Sequence, residues 1–154
     1  MKINIIAVGN IKEKYFAEAF EEYAKRLTPF CRLECIETNE CVNLNNPSET
    51  KAAEGAIISE RLKTRKGFTI ALDPCGETRD SEGFAKIISD AMRRSGTINF
   101  IIGGSNGLSE EILKKADKAI SFGNMTFPHR LFRVMLIEQI YRAFMIINNR
   151  EYHK

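Results

Sequence analysis

The chain of 154 residues has no tryptophan, four prolines and only two histidines, His129 and His153. The side chains that titrate nearest neutral pH are therefore confined to one C-terminal stretch. Its four cysteines, Cys31, Cys35, Cys41 and Cys75, form no Cys-x-x-Cys pair and have no histidine close by in sequence. That spacing argues against a zinc site and for reduced thiols, so no metal is expected. The N-terminus, MKINIIAVGNIKEKYF, has a short apolar run and then charges, which fails the criteria for a secretion signal and for a membrane span. A cytoplasmic protein without membrane contact is expected. There is no basic tail, arginine-rich run, internal repeat or low-complexity tract. The net charge of +3 permits an anionic partner without demanding one, and a nucleic acid would have to meet the folded surface.

What is present is an ordinary globular balance, 44% hydrophobic and 28% charged, over a length that suits one domain spanning residues 1–154. Short apolar runs at Ile3 to Val8, Cys31 to Ile36, Phe68 to Leu72, Ile98 to Ile102 and Ala119 to Phe122 predict strands. Between them, helical spacing or caps predict helices at Lys14 to Leu27, from Ser48 or Thr50 to about Leu62, at Ser81 to Met92, and after Ser109. The second of these is expected to turn Ala52, Ala53, Ala56, Ile57 and Leu62 inward. Such alternation implies an α/β fold with a mostly parallel sheet flanked by helices, whose ligands collect at the carboxyl ends of strands. The cluster Lys63 to Lys66 suits helix C-terminal cations facing solvent, with phosphate contact as the second reading.

The final stretch, GNMTFPHRLFRVMLIEQIYRAFMIINNREYHK, opens with a loop from Gly123 to Pro128. A helix from His129 to Ile147 follows, with Pro128 in its first turn and Thr126 as the expected cap. Apolar residues occur on nearly all its sides, which calls for cover beyond what one chain supplies and hence for a second subunit. Glu138 and Arg142 have the spacing of a helical ion pair.

Three loops fall at strand ends: Leu72 to Gly76, Gly103 to Gly107, and Gly123 to Pro128. Gly103-Gly104-x-x-Gly107 is not a dinucleotide fingerprint and lacks the lysine of a phosphate loop. By itself it serves either as a tight turn or as a place where a planar ligand lies against backbone.

Taken together, IGGSNGL (102 to 108), MTFPHRLFRVMLIEQIYRA (125 to 143), the terminal YHK and the opening KINIIAVGNIKEKYF closely resemble the RlmH family of SPOUT-class methyltransferases. The likeness covers nearly the whole chain, although the Cys41 to Asn46 loop matches nothing that can be carried over. It implies a C-terminal trefoil knot, a homodimer, S-adenosyl-L-methionine as cofactor, and methylation of N3 of a pseudouridine in 23S rRNA, within the assembled ribosome. The cofactor residues it implies are Leu72, Gly104, Gly123, Asn124, Met125, Thr126, Phe127 and Pro128. Relatives often carry serine at the position of Gly123. His129 and His153 suit proton transfer, Arg133 or Arg142 suits anion stabilisation, and Tyr152 with His153 in the tail suits substrate binding. Duller roles stand beside these: His129 as a hydrogen bonder at the helix start, Arg133 as a surface or interface cation, and the tail as a frayed end. A ribosome-associated RNA-binding protein of the same fold without catalysis is the alternative from another class.

Overall fold

The computed structural model describes residues 1–41 and 46–152. Strands and helices alternate along it as β1 (Lys2–Val8), α1 (Lys14–Leu27), β2 (Arg32–Thr38), α2 (Pro47–Lys63), β3 (Phe68–Thr78), α3 (Ser81–Arg94), β4 (Thr97–Ile102), α4 (Glu110–Lys115), β5 (Lys118–Ser121) and α5 (His129–Ile147). The strands form one sheet in the order β2-β1-β4-β3-β5, and every pairing is parallel. This is the α/β architecture that the alternation predicts.

The near-continuous apolar run in β1 follows from helices covering both faces of the sheet. Ile3, Ile5 and Ala7 pack with buried residues of α1, α3 and α5, while Ile6 and Val8 pack with those of α2 and α4. Asn4 is fully buried, and its amide donates to Asn99 Oδ1 at 2.7 Å. Asn99 in turn donates to the Arg65 carbonyl at 2.7 Å, so a polar pair inside the sheet also fastens the α2–β3 connection. The Arg65 guanidinium lies on Glu34 at 2.9 Å, an ion pair within the fold.

Caps account for several helix starts. Asp80 accepts from Gly83 N–H at 2.8 Å ahead of α3, and Ser109 Oγ accepts from Ile112 N–H at 3.4 Å ahead of α4. The start of α2 corrects the expectation: Asn46, not Ser48 or Thr50, is the cap, exchanging hydrogen bonds with Glu49 at 2.8 Å, and Pro47 occupies the first helical position. Its inward face is also corrected. Thr50, Glu54, Gly55 and Ile58 are buried, while Ala52 and Ala56 are exposed; of the expected residues Leu62 does pack on the core, and Ala53 and Ile57 are half-buried. Gly55 is there because α2 approaches α4 closely; a Cβ on it would stand 2.5 Å from Ser109 Oγ.

β3 does not end at Leu72. Leu72 and Glu77 both pair with Ile120, so the residues between them leave the ladder and the strand resumes at Glu77. α5 has the expected bounds, but Thr126 does not cap it: Pro128 holds the cap position and no side chain caps that end. α5 packs between α1 and α3, burying Arg133, Leu136, Ile137, Ile140, Ala143, Phe144 and Met145. Its remaining side is partly covered, with Val134 and Met135 half-buried along a groove beside Ser81.

Candidate active site

Three bends, one within β3 after Leu72 and the others following β4 and β5, border a cavity of about 560 Å³. The first is the excursion of β3, which brings Leu72, Asp73 and Pro74 to the cavity. The second is the glycine turn after β4, closed by a hydrogen bond from Gly107 N–H to the Gly104 carbonyl at 3.0 Å. The third follows β5. There Gly123 adopts φ +116°, a conformation that side-chain-bearing residues rarely take, which suits glycine at this bend. Ser121 Oγ fastens it, accepting from Gly123 N–H at 3.2 Å and donating to its carbonyl at 3.1 Å.

Of the eight residues named for the cofactor, Leu72, Gly104, Gly123, Met125, Thr126, Phe127 and Pro128 line this cavity. Asn124 is exposed and does not. The lining is mostly apolar and backbone, with no Lys or Arg among the described residues and one acidic side chain, Asp73. Such a surface is poorly matched to a phosphate and tolerates a positively charged ligand. Among the described residues no three His, Cys, Asp or Glu side chains gather as a metal site, and no helix is long and apolar enough to cross a membrane.

His129 opens α5 and borders the same cavity. Its Nε2 lies 3.3 Å from Glu40 Oε1, close but not aligned as a hydrogen bond. Burial pushes the imidazole pKa below its ordinary value, against the pull of Glu40 and with the help of Arg133 and Arg130. The shift favours the neutral ring, the form that can accept a proton. Arg130 itself pairs with Glu13.

The structure places Arg133, Arg142 and Tyr152 elsewhere; none of them lines the cavity. Arg133 is fully buried, with Nη1 on Glu37 Oε1 at 2.9 Å and Nη2 on the carbonyls of Val8 and Gly9, each at 2.7 Å. Arg142 and Tyr152 gather about Glu138. The Arg142 Nη2 donates to Glu138 Oε1 at 2.6 Å, the Tyr152 hydroxyl donates to the same oxygen at 3.2 Å, and the guanidinium lies 4.9 Å from the Tyr152 ring centre. Burial first, and its hydrogen bonds second, push the Tyr152 phenol above its ordinary range, so it remains a donor. His153 lies outside the described residues. Sequence reasoning missed Glu40 and Phe132 near the cavity. Phe132 carried a signal, since it lies one helical turn past Pro128, but Glu40 sits in a polar loop with none.

Comparison with known proteins follows the same lines. The family model described as "Predicted SPOUT methyltransferase" matches residues 1–153. The chain is 46% identical over 160 aligned residues, spanning all of both chains, to "Ribosomal RNA large subunit methyltransferase H 1" of Clostridium perfringens (strain SM101 / Type A). The same identity and coverage relate it to "Ribosomal RNA large subunit methyltransferase H" of Clostridium botulinum (strain 657 / Type Ba4). Among solved structures, a probable methylase family protein from Haemophilus influenzae Rd KW20 superposes with a TM-score of 0.56 at 10% identity, covering 96% of this chain and 66% of the other. A putative methylase family protein from Neisseria gonorrhoeae gives 0.53 at 11% identity, covering 98% and 95%. Those two likenesses concern the fold alone, whereas the family match and the full-length identities settle kinship: the chain belongs to the SPOUT methyltransferase family, among the ribosomal RNA large subunit methyltransferase H proteins.

Proposed function

We propose that this single-domain protein is a cytoplasmic methyltransferase that uses S-adenosyl-L-methionine to methylate N3 of a pseudouridine in 23S rRNA, acting as a homodimer on the assembled ribosome. The observation that carries the reading is the cavity bordered by the bend within β3 and the loops after β4 and β5. Around it stand seven of the eight residues that the family resemblance implies for the cofactor. The reading includes the trefoil knot of that family.

When bound, S-adenosyl-L-methionine supplies an electrophilic methyl carbon on a sulfonium. The chain's own contribution is placement and proton handling. Leu72, Met125 and Phe127 provide apolar walls, and the backbone of the glycine turn and of the Gly123 bend offers donors and acceptors to a planar ring. The lack of a cation in the described lining leaves the positive donor unopposed. Methyl transfer to the base nitrogen would leave the carbon–sulfur electron pair on sulfur, so the chain itself would have to handle only the N3 proton. The proton on N3 must leave, and neutral His129 at the cavity border is the acceptor we propose. Arg142, Tyr152 and His153 are assigned to RNA binding or to the partner's cavity in the dimer.

Mass spectrometry of 23S rRNA from a strain lacking the protein tests this. The account predicts loss of one methyl group from a pseudouridine and its return on complementation. Unchanged rRNA, together with ribosome binding and no affinity for the cofactor, is the result expected of a non-catalytic binder.

A further inference from the structure

Behind the glycine turn lies a carboxylate to which the methyl-transfer reading gives no task. Glu54 is on the inner side of α2 and only 4% exposed. Acidic side chains at that depth are rare without partners, because removing the charge from water is costly. Glu54 Oε1 accepts a hydrogen bond from Cys41 N–H at 3.2 Å, in the segment that follows β2. Its Oε2 is buried without a hydrogen-bond partner among the described residues and lies beside the cavity turn: a Cβ built on Gly104 would stand 2.8 Å from it, so the carboxylate lies flush against that glycine. Burial raises the Glu54 pKa; the Cys41 amide opposes this, nearby Glu40 adds to it, and the Gly104 amide opposes it more weakly. One residue before Cys41, Glu40 stands 3.3 Å from His129. A continuous series of contacts therefore runs from Gly104 through Glu54, Cys41 and Glu40 to His129, and its two ends both line the cavity.

An apolar side chain would fill the inner face of α2 at lower cost than an acid. What it would lack is a pair of oxygens directed at the backbone of two separate loops, which is the support a preorganised site requires. We propose that Glu54 is a positioning residue for the donor cavity, whose carboxylate fixes the Gly104 turn and, through Cys41 and Glu40, the place of His129. This rests on the assignment of the cavity to S-adenosyl-L-methionine. It extends that assignment to a residue on a helix that does not touch the cavity. A side chain on Gly104 would push the carboxylate out of its present place.

The test is calorimetric titration of S-adenosyl-L-methionine into the wild type and E54Q, with thermal unfolding of each. Glutamine keeps the volume and an acceptor for Cys41 N–H but removes the charge and places an NH2 group against Gly104. Donor affinity should fall about tenfold or more, as the bond to Cys41 loses its charge assistance and a donor group is set against the Gly104 turn, while E54Q still unfolds cooperatively near the wild-type temperature. E54Q that binds the donor as tightly as wild type overturns the proposal. A wild type that binds no donor overturns the functional reading and this proposal with it, and so is told apart. Should E54Q fail to fold, amide hydrogen exchange on the wild type decides. Donor-induced protection in both the Gly103 to Leu108 turn and the Thr38 to Cys41 segment supports the proposal; protection confined to the cavity lining overturns it.

Discussion

Arg133 Nη2 donates to the Val8 carbonyl at 2.7 Å, at the residue where β1 ends. With the Gly9 carbonyl and Glu37 as its other partners, this fully buried cation ties α5 to the ends of β1 and β2. Arg133→Met would leave two carbonyls unmatched in the interior. The expected loss is about 3 kcal/mol of stability, roughly 10 °C in melting temperature for a chain of this size. Arg133→Lys should recover only part, since an ammonium lacks the planar fork that reaches all three acceptors. Urea unfolding of both variants checks this, and a Met variant as stable as wild type would contradict the assigned role.

Glu34 sits between Lys2 at 2.6 Å and Arg65 at 2.9 Å. These two cations hold its carboxyl at about 2, below the ordinary 4.5. A carboxyl depressed by folding contributes stability above its ordinary value, and that contribution is lost as pH falls from there through the folded value. The side chain is 39% exposed, so the effect should be modest and should shrink in high salt. Glu34→Gln should flatten the melting-temperature profile between pH 4.5 and about 2. An acid limb unchanged from wild type would remove Glu34 from the explanation.

With two histidines in the chain, proton titration by NMR gives resolved curves. Burial predicts that His129 titrates below its ordinary 6.5. The sign follows: a depressed imidazole stabilises the fold above that value, and the contribution declines as pH drops below it. Glu40→Gln should lower the His129 value further, because Glu40 is the carboxylate that opposes burial most. A His129 midpoint at or above 6.5 would contradict the neutral imidazole on which its proposed proton-accepting role depends.

Asn99→Leu would orphan both the Asn4 amide and the Arg65 carbonyl in the sheet interior. A loss of about 2 kcal/mol is expected, read as a lower urea midpoint with an unchanged slope. Retained stability would mean that the polar pair can be dispensed with.

How much of this was legible in the sequence can be judged element by element. α1 and α5 have the bounds expected of them because periodicity, Thr28-Pro29 and Pro128 all speak locally. The three cavity bends were marked by glycine and proline at strand ends. The face of α2 was misjudged because counting alanines assumes that the buried side is the apolar one. Here Glu54 and Gly55 face inward, for reasons set by Cys41, Gly104 and Ser109, beyond the helix itself. The resumption of β3 at Glu77 depends on its pairing with Ile120, a partner no local pattern names. Arg133 likewise gives no sign in sequence that its guanidinium meets β1, 125 residues away from Val8.

The central claim is that the bends at Leu72, Gly104 and Gly123 form one site for S-adenosyl-L-methionine. A crystal structure of the protein grown with saturating cofactor tests it most directly. The account predicts the adenine against the Gly104 turn and the Met125 to Pro128 segment, with the sulfonium methyl open toward His129. A cavity left empty at saturation, or cofactor bound on another face of the molecule, would contradict it.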